Sequence, residues 1–514
     1  RKELLPQIDY MMENIKSRNT TLNQDGSWIR QGGSIEYPYG IIIPRLKSMS
    51  ENLSTRSISR NNLLDGSYRF NQITPGVSIG KDQLVSLDAD MGWWWDDSIY
   101  TGTLQRASRT FTQIYSAQLR EWNSVSSRLD FTIQNRKFTD QFKQRKNDDV
   151  QTILFRWQSQ VNPFNRGIES DWFYELATER SARLERVFQR VPKGTGNYVY
   201  MGDQNENHLI DQPDFTLSRF DGDYITFTIP SDELIPVIDL KASLRIRICP
   251  AKIFAGNGWL NKAVSTLSTE SYYRVEEKST ELDRKQIYFL HLSKFLSDQT
   301  TLSGSNLYTQ DIFFLENNSE LSLRFRYTQR RGLTQYATQN ERAYARERSV
   351  RLRWQFIPEI ANQIDYINKK DILFANQISN RARDIAANAV TTDWSYRLEQ
   401  QIELGFKFSV SRATNFDTTT ADMNDESIRL VYSIKDHGQA RAEIIREEVN
   451  IQHAGVFLPF ELTNGKFDGK SWLWQLSLEY RLTKFIQATL NYDGRSEGKH
   501  VPVHVGRAEV RAFF

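Results

Sequence analysis

In the stretch SWLWQLSLEYRL, residues 471–482, the even positions are Trp472, Trp474, Leu476, Leu478, Tyr480 and Leu482. The odd positions are Ser471, Leu473, Gln475, Ser477, Glu479 and Arg481. Side chains of a strand point alternately to its two faces, so this pattern predicts a strand with one apolar and one polar face. The pattern recurs along the chain. Ile402, Leu404, Phe406, Phe408 and Val410 share a parity, as do Ile428, Leu430, Tyr432 and Ile434. So do Leu321, Leu323, Phe325 and Tyr327; Val350, Leu352, Trp354 and Phe356; and Val85, Leu87, Ala89, Met91, Trp93 and Trp95. Period two over eight or more residues is a strand signal, not a helix signal.

Parity also predicts register, because directly opposed residues of an antiparallel pair share a face. It sets Leu482 against Ile486, Ile434 against Ala440 and Leu119 against Val125. From residue 402 onward the expected connections alternate: 411–427 long, 435–439 short, 452–470 long, 483–485 short and 493–506 long. At the other end of the chain, residues 1–19 fit either a strand or a helix face. They show no charged region leading into an apolar core of the signal-peptide kind. If they form a strand, the chain begins in mid-sheet, as a processed or partial chain would. Residues 360–392 are also ambiguous: SNRARDIAANAV is compatible with a short helix in a loop.

Composition limits what such a sheet can be. The chain has 514 residues, a formal charge of +3 and a single cysteine, Cys249. No intrachain disulfide or cysteine-based metal cluster is available to it. Balanced charge gives no argument for a nucleic-acid partner. Mean hydropathy is −0.58, and no apolar run approaches the ~20 residues of a membrane-spanning helix. Barrel strands escape both tests, being apolar only at alternate positions. The polar faces carry Arg, Glu, Lys and Gln as a wet lumen does, and the apolar stripes end in aromatics as membrane-interface girdles do. A soluble β-sandwich also alternates, but lacks those two features. The fold class expected is all-β: an antiparallel transmembrane β-barrel of roughly 16–20 strands, with short periplasmic turns and long extracellular loops.

The chain closes on GRAEVRAFF, in which Arg507, Glu509 and Arg511 alternate with Ala508, Val510 and Ala512 before the terminal Phe514. This ending resembles the C-terminal signal of bacterial outer-membrane β-barrels, with the departure that Ala508 and Ala512 are small. The resemblance implies a bacterial outer-membrane location, with outer-membrane lipids as surroundings; the expectation of no enzymatic activity rests instead on finding no convincing catalytic residue set.

Residues 193–238 interrupt the rhythm, dividing N-terminal strands (1–192) from C-terminal strands (239–514). Within them Asp203, Asn205, Asn207, Asp211 and Asp214 take positions 1, 3, 5, 9 and 12 of an EF-hand-type loop, with Ile210 at position 8. With the Leu209 carbonyl they offer hard oxygen ligands for Ca²⁺. His208 stands where the turn favours glycine, and Asp214 where a longer glutamate is usual. The alternative is an Asx-rich turn bonded to its own backbone. The segments GTGNYVYMGDQNENHLIDQPDF and FDGDYITFTIPSDE resemble modules of large Bacteroidetes-type barrels such as the type IX secretion translocon. That resemblance implies protein translocation or surface assembly, with lipoproteins or other barrel subunits as partners.

Other chemistry is thin. His500 and His504 in an extended segment would stand about 13 Å apart, too far to share a metal without a bend. Asp88, Asp90, Asp96 and Asp97 cluster in DADMGWWWDD, explained by a polar strand face or, less simply, by a carboxylate pair. The pairs Arg245/Arg247, Arg324/Arg326 and Arg351/Arg353 either favour anions or are neutralised, with Glu403, Glu479 and Glu509 as expected partners. Four functions follow: a transport or secretion barrel, or the barrel component of a surface complex; a TonB-dependent-type nutrient receptor lacking its plug; a structural anchor with a filled lumen; and an outer-membrane enzyme, for which no convincing residue set is seen.

Overall fold

The computed structural model describes residues 6–513 except 20–22, 61, 82, 146, 209, 255–257, 282–284, 286–290, 292–293, 337–339, 376–380, 417, 436, 453–457 and 499–500. Among the described residues, twenty-four strands form one sheet. The first nine are β1 Gln7–Asn19, β2 Gln24–Glu36, β3 Ile42–Ser57, β4 Tyr68–Ile79, β5 Val85–Tyr100, β6 Thr103–Trp122, β7 Val125–Phe138, β8 Val150–Val161 and β9 Ile168–Arg190. Two short strands, β10 Gly196–Tyr200 and β11 Phe215–Gly222, precede the 25-residue β12 Tyr224–Ile248. Then come β13 Leu267–Ser279, β14 Thr301–Phe314, β15 Leu321–Gln335, β16 Asn340–Ile357, β17 Ile360–Phe374 and β18 Arg383–Glu399. The last six are β19 Ile402–Asn415, β20 Thr419–Ile434, β21 Gly438–Gln452, β22 Gly469–Arg481, β23 Ile486–Glu497 and β24 Val503–Ala512.

From β1 to β9 each strand pairs antiparallel with its successor. The same holds from β14 to β24. Among the described residues no helix is long and apolar enough to cross a membrane, a test that leaves strands untouched. The chain groups into two compact units. One comprises Arg1–Arg180, Pro236–Arg245 and Lys278–Leu292; the other Ser181–Ile235, Ile246–Glu277 and Ser293–Phe514.

The alternation predicts the faces well. Trp354, Phe406, Ile428 and Ile444 all share one face and all are solvent-exposed, Ile428 by 62%. Leu482 meets Ile486 as expected, its N–H donating to the Ile486 carbonyl at 2.9 Å. Two registers differ. Ile434 pairs Gly438 and Tyr432 pairs Ala440, so the turn is two residues tighter than expected. Trp122 pairs Val125 across Asn123 and Ser124, and a bulge sets Leu119 opposite Ser127. Asn123 and Ser124 both have positive φ (48° and 68°), the geometry of the tight hairpin turn that follows strand twist.

The strand count exceeds the expected range. Residues 1–19 resolve their ambiguity as strand β1 over Gln7–Asn19, residues 28–43 divide between β2 and β3, and the short β10 and β11 carry no long alternation. Within 360–392 the described residues Ile360–Phe374 and Arg383 onward form strands, not a helix: β17 and β18 pair residue by residue from Ile360↔Tyr396 to Leu373↔Arg383, while 376–380 lie outside the described residues. The expected strand at 284–292 lies almost wholly outside the described residues, as does Phe514. Nor is 411–427 a long loop. Strands β19 and β20 run on to Asn415↔Thr419. The period-two signal fades there because the apolar-side positions become polar (Arg412, Thr414, Thr420, Asp422), while backbone pairing continues.

Candidate functional site

In the second unit the polar face of the sheet carries a folded module. Its own small core is aromatic: Phe188 and Phe215 stack at 3.8 Å, with Tyr198 edge-on to Phe188 and Tyr224 edge-on to Phe215. Three arginines strap it down. Arg219 on β11 donates to both carboxylate oxygens of Glu447 on β21, at 2.8 and 3.1 Å. Arg495 on β23 donates to Asp221 at 2.8 Å. Arg186 on β9 donates to Glu341 on β16 at 3.1 and 3.2 Å, to the Tyr336 hydroxyl at 2.6 Å and to the Gln212 side chain at 2.9 Å. Glu341 also accepts from Arg381 at 2.8 Å.

Glu341 and Glu447 sit on the parity of Arg351 and Arg441, opposite to the exposed apolar stripe. Each is almost fully buried, and a buried carboxylate needs such paired donors. Two guanidinium groups stand over the Phe220 ring, Arg219 at 4.8 Å and Arg495 at 4.5 Å from its centroid. Between this hairpin and β22–β24 a cleft of about 580 Å³ opens, with Lys193, Asp493 and Arg507 on its margin. A second cover comes from the connection between β21 and β22. Its short helix Phe460–Thr463 sets Leu462 into an apolar patch of Ile385, Ala413, Ala421, Met423 and Val449.

The loop at residues 203–214 folds on itself. Asp203 accepts the backbone N–H of His208 at 2.8 Å and of Asn207 at 3.2 Å. These donors, His208 first, hold its carboxyl below the ordinary aspartate range. The side-chain amides of Asn205 and Asn207 donate to Asp211, the shorter bond being 2.7 Å. Buried Asp214 accepts from the N–H of Gln204 and of Asp211 at 2.8 and 3.1 Å. His208 has φ of 58°, taking up the left-handed turn at the position where such loops favour glycine. Leu209 lies outside the described residues. Among those described, no group of three or more His, Cys, Asp or Glu is placed to hold a metal. The oxygens of Asp203, Asn205, Asp211 and Asp214 thus accept from N–H groups of the loop itself.

The Asp cluster of β5 is spoken for. Arg45 donates to Asp90 at 2.6 and 2.8 Å and to Asp88 at 3.1 Å. Buried Asp97 pairs Arg69 and Arg106, and Asp96 accepts from Ser108. No carboxylate pair is left free there for acid–base work. Four of the six arginines in the Arg-x-Arg pairs find partners other than those expected. Arg326 takes Asp311, Arg351 takes Asp365, Arg245 takes Asp171 and Arg247 takes Glu316. Glu403 instead lies near Arg397 and Arg429, and Glu509 pairs Arg511. His500 lies outside the described residues, while His504 stacks on Tyr492, whose hydroxyl lies 2.9 Å from Nδ1. The strapping residues carried no sequence signal, because their partners stand 155, 228 and 274 positions apart.

No family model and no curated protein matches the chain. Among solved structures it is similar to the FrpB iron transporter from Neisseria meningitidis (8% identity, 100% of this chain and 81% of that one, TM-score 0.39). It is also similar to the siderophore receptor PirA from Pseudomonas aeruginosa (8%, 99% and 80%, 0.37). A third is the ferric-catecholate import receptor Fiu from E. coli K12 (10%, 96% and 77%, 0.30). At these identities and scores, the function must be argued from the chain's own residues.

Proposed function

We propose that this chain is an outer-membrane β-barrel protein, without enzymatic activity, acting in transport or secretion or as the barrel component of a surface protein complex. The observation that carries the reading is the division of one very large antiparallel sheet into two faces. One is apolar and exposed, the other charged, ion-paired and, in the second unit, covered by a module. A water-soluble sheet would bury its apolar face; a lipid-facing sheet leaves it exposed and keeps charge on the water side. Stacked Trp354, Phe356 and Trp394, beside the two-residue turns at 358–359 and 400–401, then form part of an interface girdle.

On this reading the module formed by residues 193–222 obstructs the polar face of its own unit, strapped by Arg186, Arg219 and Arg495. Movement or removal of that module is what would open a path. Lipoproteins or further barrel subunits, as in secretion translocons, would be the partners that move it. Ca²⁺ at Asp203, Asn205, Asn207, Asp211 and Asp214 would stiffen the module. The left-handed turn at His208 supports this assignment.

The test is electrical. Purified protein in planar bilayers should conduct weakly, and deletion of residues 193–222 should raise conductance several-fold. A protein that stays in the soluble fraction without detergent would refute the barrel. An unchanged conductance after deletion would refute the obstruction.

A further inference from the structure

On the apolar face of β15–β17 the pairing register can be followed row by row. Three rows are apolar or nearly so: Leu321–Trp354–Asn362, Leu323–Leu352–Ile364 and Phe325–Val350–Tyr366. The next three rows on the same face change character: Tyr327–Arg348–Asn368, Gln329–Arg346–Lys370 and Arg331–Tyr344–Ile372. Four cations thus follow the apolar band at once, on the side away from the short turn at 358–359. Arg346 stands directly opposite Lys370, and like charges so placed repel.

Their neutralisation is incomplete. Lys370 lies 3.4 Å from Asp384. Arg331 rests over the Tyr344 ring at 5.9 Å. Among the described residues Arg331, Arg346 and Arg348 make no ion pair, and Arg346 Nε is buried with no acceptor. Two other cations on this face do have carboxylate partners: Arg412 takes Asp422 at 2.6 Å and Arg342 takes Asp298 at 2.7 Å. Glu347, Asp365 and Asp371 have the other parity and stand on the polar face.

We infer that Arg331, Arg346, Arg348 and Lys370 bind the phosphate of an anionic lipid headgroup. The inference rests on the barrel reading, since it takes the exposed apolar rows as lipid-facing. Cations at the bilayer midplane are costly, whereas beyond the apolar band they meet headgroup phosphates. Guanidinium groups suit phosphate because they donate in a planar fork. The flanking Tyr327, Tyr344 and Tyr366 are side chains that favour that boundary. Continuity with the apolar band commits the site to a lipid, not a free anion.

The experiment is native mass spectrometry of detergent-solubilised protein, offered phosphatidylglycerol and phosphatidylcholine in equal amounts, with inorganic phosphate as a separate arm. The wild type should retain phosphatidylglycerol preferentially. Arg346→Gln/Arg348→Gln should reduce that preference roughly thirtyfold, as two charges near an anionic surface imply. Arg324→Gln/Arg353→Gln, on the polar face of the same strands, should leave it unchanged. Equal retention of both lipids, an equal loss in the polar-face variant, or displacement of phosphatidylglycerol by inorganic phosphate alone would overturn the inference. Failure to retain either lipid would likewise overturn the inference, whereas failure to need detergent would refute the barrel. If the double variant loses its near-ultraviolet circular dichroism, the exposed Arg348→Gln alone carries the test, with a roughly fivefold loss expected.

Discussion

Arg219 and Glu447 meet in a two-pronged ion pair, 2.8 and 3.1 Å, across 228 positions of chain. The pair fixes where the module lies on the polar face of its own unit. Lys466 also approaches Glu447, at 3.4 Å, so removing Arg219 leaves the buried carboxylate one partner. Arg219→Ala should therefore weaken protection of residues 193–222 against hydrogen exchange by about 1–3 kcal/mol. A double-mutant cycle with Glu447→Ala should return a coupling of about 0.5–3 kcal/mol. Unchanged exchange in the single variant would show that the strap is not what holds the module.

Gly494 and Trp474 are opposite each other on β22 and β23, and the glycine is required by the indole. A Cβ at Gly494 would collide with the Trp474 ring, which also lies 5.6 Å from His504. Gly494→Ala should displace the ring and cost about 1–3 kcal/mol, as overpacking does. Trp474→Leu should relieve most of that cost in the double variant. Tryptophan fluorescence with chemical unfolding reads both effects.

Leu462 offers a test of the second cover. It is buried among Ile385, Ala413, Ala421, Met423 and Val449, on the face that elsewhere carries charge. Leu462→Ala should cost about 2–5 kcal/mol in the helix contact, as buried leucine truncations do. Exchange should rise first in residues 458–468, with the strands beneath little changed.

The strands were legible where one face is apolar and the other polar, as in β19, β20 and β22, because the contrast between exposed apolar and charged positions fixes the parity. They were illegible where both faces are polar. The outer parts of β19 and β20, with Arg412, Thr414, Thr420 and Asp422, read as loop, yet their pairing is continuous. In β18 the run Ala386–Ala387–Asn388–Ala389 has little contrast between faces, so only its partners β17 and β19 decide for strand over helix. The strapping pairs were unreadable for a different reason. Arg186, Arg219 and Arg495 look like ordinary polar-face charges, and nothing local distinguishes a charge that reaches across the fold.

The loop at residues 203–214 makes a prediction in pH and in Ca²⁺. Backbone donors hold the Asp203 carboxyl below its ordinary value of 3.8, so the folded loop favours the ionised form. That contribution is complete above the ordinary aspartate range and disappears as pH falls through the lower folded value. Asp203→Asn should loosen the loop at neutral pH and remove its sensitivity to acid over that window. If Ca²⁺ binds, it must displace the amide donors of Asn205 and Asn207 from Asp211, freeing carboxylate oxygens for the ion. Millimolar Ca²⁺ should then protect the 203–214 amides from exchange in the wild type, as weak extracellular-type sites do. Asp211→Asn should abolish that protection while leaving exchange elsewhere in the module nearly unchanged. Protection equal in Mg²⁺ and Ca²⁺, or unaltered by Asp211→Asn, would identify the loop as a self-bonded Asx turn.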